Sequence, residues 1–236
     1  MRLYPAIDLK DGKCVRLFKG DMAQATIYGE NPAEQAAEFE AAGFKYLHVV
    51  DLNGAIEGQS VNKKPVEAML ERLTIPVQLG GGIRTRAQVE AWLEAGIARV
   101  ILGTIALKNP SFVRELARAF PKQIVVGIDA KGGMVAVEGW VNTSQMRAVD
   151  LARAFEDAGV ASIIYTDIGR DGTLSGPNLE ETAALAKSVR IPVIVSGGVS
   201  GNHDIEAAAK MDCFEGIIIG KALYEKKIDL KALKIA

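Results

Sequence analysis

A chain that repeats itself over half its length has few folds open to it, and this chain does. Ile75-Pro76-Val77-Gln78-Leu79 leads into Gly80-Gly81-Gly82-Ile83-Arg84, and Ile191-Pro192-Val193-Ile194-Val195 leads into Ser196-Gly197-Gly198-Val199-Ser200. Pro76 and Pro192 lie 116 residues apart, as do Gly81 and Gly197. The same offset carries Ala36, Phe39, Glu40, Ala42 and Gly43 onto Ala152, Phe155, Glu156, Ala158 and Gly159, and Val50-Asp51 onto Thr166-Asp167. Leu102-Gly103 maps onto Ile219-Gly220 at 117 residues, and Ile7-Asp8-x-Lys10-x-Gly12 onto Ile128-Asp129-x-Lys131-x-Gly133 at 121. The change of offset puts a longer loop after the first strand of the first half. Two similar halves, about 1–120 and 121–236, are expected.

Short apolar runs with Pro only at their first residues read as buried strands. They fall at Tyr46–Leu52, Ile75–Leu79, Arg99–Leu102, Ile124–Asp129, Ser162–Asp167, Pro192–Ser196 and Gly216–Ile219. Leu3–Asp8 is an eighth, with Pro5 an awkward member because it lacks a ladder donor. Cys14–Phe18 reads as a small hairpin return, and the polar stretches Lys19–Glu30 and Asn53–Asn62 as loops. Helical signals separate the strands. Asn31-Pro32 gives an N-cap and a Pro at the first helical position, and Gly43 a stop. Thr85 caps another helix, and further helices are expected at Pro65–Leu73, Ser111–Phe120, Ser144–Ala158, Leu179–Val189, Asp204–Lys210 and the tail Ile228–Ile235. Strict β–α alternation implies a parallel sheet covered by helices. Eight such units in 236 residues match an α/β (β/α)8 TIM barrel, usually about 250 residues; a doubly wound open sheet is the competitor.

Composition excludes several functions. A net charge of −1 argues against a nucleic-acid or membrane-surface protein. No apolar run approaches the roughly 18 residues of a membrane span, and Met1-Arg2-Leu3-Tyr4-Pro5 does not open a signal peptide. Cys14 and Cys213 lie far apart and out of metal-ligand spacing, which fits free thiols in a reducing cytoplasm. No cofactor or metal is expected, and a small, nearly uncharged barrel is expected to be a monomer.

In a barrel, chemistry gathers at the carboxyl ends of the strands. Asp8 and Asp129 end strands one and five, opposite each other in a ring of eight. Glycines end strands three, four, seven and eight: Gly81 and Gly82, Gly103 with Thr104, Gly197 and Gly198, Gly220 with Lys221. Paired glycines let backbone N–H groups approach an anion closely. The layout predicts a phosphate site on each side of a carboxylate pair, hence a long, doubly phosphorylated substrate. Two facing carboxylates suit metal-free acid–base work, one ionised and one protonated. Thr166, Asp171 and Gly172 at the sixth strand's exit are further candidates, and Trp140 is a stacking platform. Lys131 reads as solvated, and His48 and His203 as packed or surface histidines. The competing reading for each glycine is a tight turn, and for each Asp a loop cap.

Ala6-Ile7-Asp8-Leu9-Lys10-Asp11-Gly12-Lys13-Cys14-Val15-Arg16-Leu17, Gly80-Gly81-Gly82-Ile83-Arg84 and Thr166-Asp167-Ile168-x-Arg170-Asp171-Gly172-Thr173-Leu174-Ser175-Gly176-Pro177-Asn178 closely resemble the histidine-biosynthesis ribotide isomerase family. The likeness runs end to end. It implies a cofactor-free Amadori rearrangement of an aminoaldose to an aminoketose, on phosphoribosylformimino-aminoimidazole carboxamide ribotide. In that family's pattern Asp8 would remove the C2′ proton. Asp129 would protonate the ring oxygen, with Asp171 sharing or taking that role. Thr166 would orient one of them, and Trp140 would stack on the imidazole carboxamide. The related cyclase shares the barrel but typically lacks the Thr166-Asp167-Ile168 start. A dual-substrate isomerase that also takes phosphoribosylanthranilate, and a non-catalytic protein binding a bisphosphorylated metabolite, are the alternatives.

Overall fold

The computed structural model describes residues 1–137 and 142–233. Its strands are, in chain order, β1 (Arg2–Lys10), β2 (Lys13–Phe18), β3 (Asp21–Gly29), β4 (Leu47–Asp51), β5 (Val77–Gly80), β6 (Arg99–Leu102), β7 (Ile124–Lys131), β8 (Met134–Val137), β9 (Asn142–Arg147), β10 (Ser162–Asp167), β11 (Val193–Ser196) and β12 (Gly216–Ile219). Eight of them, β1-β4-β5-β6-β7-β10-β11-β12, pair in parallel, and β12 pairs back onto β1. The ring is closed, so the open-sheet alternative falls and the (β/α)8 barrel stands.

The strands read as continuous apolar runs because both faces are buried. In β12, Ile217 and Ile219 join the shell between sheet and helices while Ile218 points inward; in β11, Val193 and Val195 point outward and Ile194 inward. The inner core is small: Tyr4, Ala6, Ile101, Val125, Ile164, Ile194 and Ile218. Fully burying one such aliphatic side chain is worth roughly 1.5–3 kcal/mol.

Pro5 sits inside β1 without breaking a ladder. Arg2 N–H donates toward β12, to Glu215 O. By alternation residue 5 would donate toward β4, and that ladder begins only at Ala6. Asn31 caps the helix Pro32–Ala41 as expected, and Thr85 makes a capping box with Gln88 on Arg86–Glu94.

Several local expectations were wrong. Residues within Lys19–Glu30 form β3, a third strand paired antiparallel to β2; its polar, exposed residues hide the pattern of a strand. The stretch after β4 is a short helix, Leu52–Glu57, before it becomes a loop. The expected helix from Ser144 starts only at Ala148: Asn142–Arg147 pairs with β8, and Ser144 Oγ accepts from Met146 N–H instead of capping a helix. The described end of the chain, Ile228–Leu233, is turn and bend rather than helix.

Antiparallel excursions follow the ring strands β1 and β7: β2–β3 after the first and β8–β9 after the second. Register aligns Asp8 with Val50 and Val50 with Gly80, and likewise Asp129 with Thr166 and Thr166 with Ser196. The strand ends of the two arcs therefore stand at matching heights.

Candidate active site

Those strand ends open into one cleft of about 760 Å³. Asp8, Asp129, Thr166 and Asp171 line it, and so do Gly81, Gly82, Gly103, Thr104, Gly172, Gly197, Gly198, Gly220 and Lys221. Asp8 and Asp129 thus share a cleft. Trp140 lies outside the described residues.

The glycine turns are built as close approaches. Gly81 and Gly197 have φ of 108° and 89°, a region that costs an L side chain strain. A Cβ at Gly81 would collide with the backbone of Asp51, and one at Gly197 would lie 2.9 Å from Asp167 O. A Cβ at Gly220 would strike the Arg16 guanidinium. Gly103 is different: nothing stands near its missing Cβ, so its side faces open cleft.

Arg16 is the residue that sequence reasoning missed. It lies in β2, which turns back antiparallel beside β1 and carries the side chain into the cleft. Its side chain is 8% exposed, and Nη1 sits 3.0 Å from Asp8 Oδ2. This is a charge contact rather than an aligned hydrogen bond; Nε and Nη1 have no aligned acceptor among the described residues. Burial opposes charge on Arg16, but Asp8 and Asp171 hold it protonated. An Arg within an otherwise apolar hairpin return was the available signal. Arg84 and Lys108 add positive charge to the cleft wall.

The carboxyls are not equivalent. Burial pushes Asp8 above the usual carboxylate range, and Arg16 pulls it part of the way back. Asp8 is therefore a stronger base than a free aspartate. Asp171 is pushed up to about 6, first by burial; Arg16 and the Gly172 N–H oppose this, and the charges of Asp8 and Asp129 add to it. A carboxyl of that kind holds a proton close to neutral pH. Thr166 lies level with Asp129 on the neighbouring strand.

His48, expected to be packed or on the surface, is buried and also lines the cleft floor. Burial, then Arg16, lowers its pKa to about 3, so the ring is neutral. Its Nδ1 lies 3.0 Å from Gln78 Nε2. His203 is at the surface beside Asp204, and Lys131 is exposed. Lys221 Nζ donates to Gly172 O at 3.3 Å, tying two cleft loops together. Among the described residues no group of three or more His, Cys, Asp or Glu could hold a metal ion. No helix among them is long and apolar enough to cross a membrane.

This arrangement brings glycine turns from both halves of the chain and the carboxyls of Asp8, Asp129 and Asp171 into one cleft. Residues 2–229 match the family described as "Histidine biosynthesis protein". The chain is 59% identical over 230 residues to a Cereibacter sphaeroides protein, covering 98% of this chain and 96% of the relative. It is 60% identical over 233 residues to one from a Chelativorans species, covering 98% and 96%. It is 57% identical over 232 residues to one from Rhodobacter capsulatus, covering 98% and 97%. All three relatives are named 1-(5-phosphoribosyl)-5-((5-phosphoribosylamino)methylideneamino) imidazole-4-carboxamide isomerase.

Proposed function

The chain belongs to the histidine biosynthesis protein family, and from that premise we propose that it is the isomerase that carries out the Amadori rearrangement of the ribotide named in its relatives, with aspartates as acid and base. The observation that carries this reading is the grouping of Asp8, Asp129 and Asp171 in one cleft between paired glycine turns.

The substrate has a phosphate on each arm. One is held by the N–H groups around Gly81, Gly82, Gly103 and Thr104, and the other by those around Gly172, Gly197, Gly198, Gly220 and Lys221. Both turns offer close backbone approach. Asp171 gives its proton to the ribose ring oxygen as the C1′–O bond breaks, which leaves a Schiff base. Asp8 then removes the C2′ proton, and the resulting enolamine tautomerises to the aminoketose. The raised pKa of Asp171 supports its role as donor. The Arg16 charge supports Asp8 as the ionised partner. Asp129 and Thr166, level on adjacent strands, orient the reacting sugar. Trp140 stacks on the imidazole carboxamide.

The two halves, about 1–120 and 121–236, act as matching binding arms of one monomeric barrel. The free thiols Cys14 and Cys213 fit a reducing cytoplasm, and burial pushes Cys14 up to about 12, which makes it inert. The test is complementation of a histidine auxotroph that lacks the isomerase, together with turnover of the purified protein on the aminoaldose. Rescue and turnover are expected. Binding without turnover would leave a metabolite-binding protein instead.

A further inference from the structure

One repeated pair is not absorbed by the chemistry above. Asp51 is fully buried, yet among the described residues it has no cationic partner at hydrogen-bond range. Its Oδ1 accepts from Gly54 N–H at 2.9 Å and from Asn62 Nδ2 at 2.6 Å. Its Oδ2 accepts from Val61 N–H at 2.9 Å and Asn62 N–H at 3.0 Å. Asp167, 116 residues on, repeats the pattern. Its Oδ1 accepts from Gly169 N–H at 2.8 Å and its Oδ2 from Asn178 Nδ2 at 2.7 Å. The Asp-to-Asn spacing is 11 residues in both cases. Each carboxylate thus clips the start of its loop to the end of it.

Both clips also press on a glycine turn. Gly81 packs against the backbone of Asp51, and Gly197 against Asp167 O. What the loops carry differs. The loop of Asp167 holds Asp171, whose N–H donates to Asp167 O at 3.0 Å. Between Asp51 and Asn62 there is no second acid in the cleft; Ala55 and Ile56 line it instead.

We propose that Asp51–Asn62 and Asp167–Asn178 are matched positioning pairs, the first setting the geometry of a binding turn and the second setting the position of the proton donor Asp171. The proposal rests on the role of Asp171 given above. Displacing a reacting group by about 1 Å can cost roughly a hundredfold in rate, so the second pair acts on kcat and the first on KM.

The test measures kcat, KM and the pH profile of the purified full chain on the aminoaldose. Asp167→Asn puts an amide against the Asn178 amide. It should lower kcat about ten- to a hundredfold with KM within about threefold, and shift the alkaline limb of the profile. Adding Asn178→Asp exchanges donor and acceptor, and should recover most of kcat. Asp51→Asn should instead raise KM about tenfold or more with kcat nearly unchanged. Where Asp167→Asn fails to fold, Asn178→Ser serves in its place: it keeps a helix-capping oxygen but is too short to reach Asp167. Asp171→Asn separates the two claims. Full turnover in that variant removes the acid assignment itself. Loss of turnover there, with an unchanged kcat and pH profile in Asp167→Asn or Asn178→Ser, overturns the positioning pair alone. Equal kcat and KM effects at Asp51 and Asp167, or no recovery in the exchanged pair, also overturn it.

Discussion

After β1 the chain folds back as β2 and brings Arg16 against Asp8; after β7 it folds back as β8, where, among the described residues, Val135 and Ala136 line the cleft. The two strand-end carboxylates thus share a height in the barrel and differ in what the returning strand sets beside them. Around the first stands a buried cation. On the side of the second, the loop after β10 adds Asp171, whose proton is held first by burial and then by the charges of Asp8 and Asp129. A repeated backbone thereby gives two glycine turns of one kind and carboxyls in different electrostatic settings. Similarity of frame sets where groups stand; the local charge decides which group gives a proton and which takes it.

The hardest blow to this comparison falls on the carboxylates. Asp8→Asn should lower turnover by about 10²–10⁴-fold with substrate binding largely kept, since general base catalysis contributes about that much. Single-turnover kinetics beside a binding titration check it; near-normal turnover removes Asp8 as the base. The glycine turns come next. Gly81→Ala combines positive-φ strain with a collision against the Asp51 backbone, so a loss of about 3 kcal/mol is expected, and less at Gly197→Ala, where the nearest atom is further off. Urea midpoints of the two variants measure the difference, and equal losses would mean the first turn is no tighter than the second.

Asp171 also leaves a mark on stability. Its folded pKa, about 6, lies above the ordinary 3.8. Below 3.8 both folded and unfolded chains carry the proton, and nothing is lost. Between 3.8 and about 6 the unfolded chain gives up the proton that the folded chain keeps, so stability falls across that interval, and above it the loss is complete because the folded chain then buries a charge that the unfolded chain solvates. Asp171→Asn should therefore be more stable than the parent above neutral pH, by about 2 kcal/mol after a discount for the open cleft, and no more stable near pH 3. Melting curves across that window decide it. The smallest effect is expected at Arg16→Gln. Without the guanidinium both Asp8 and Asp171 rise further, because Arg16 lowers each. Both limbs of the kcat/KM profile should then move to higher pH, whereas movement of one limb alone would mean that Arg16 serves only one carboxylate.

Much of this was legible beforehand. Asp8, Asp129, Gly81 and Gly197 could be placed at the cleft because offset and strand pattern together put them at strand ends. Arg16 could not: its role depends on a hairpin whose register places it against Asp8, and no local pattern states that contact. β3 was read as loop because its exposed, polar residues lack the alternation that marks a half-buried strand. The Asp167–Asn178 clip was visible only as the matching offset of Asp51 and Asp167. Its meaning came with the bonds.

By itself the sequence determined the number of ring strands, their apolar two-faced character and the positions of the glycines, since these follow from short-range pattern and backbone freedom. Only the tertiary structure decided the closure of β12 onto β1, the partner of each buried carboxylate and which acid is held near neutrality. Those depend on distances between residues far apart in the chain, and burial and Coulomb interaction are set by such distances rather than by order along the chain.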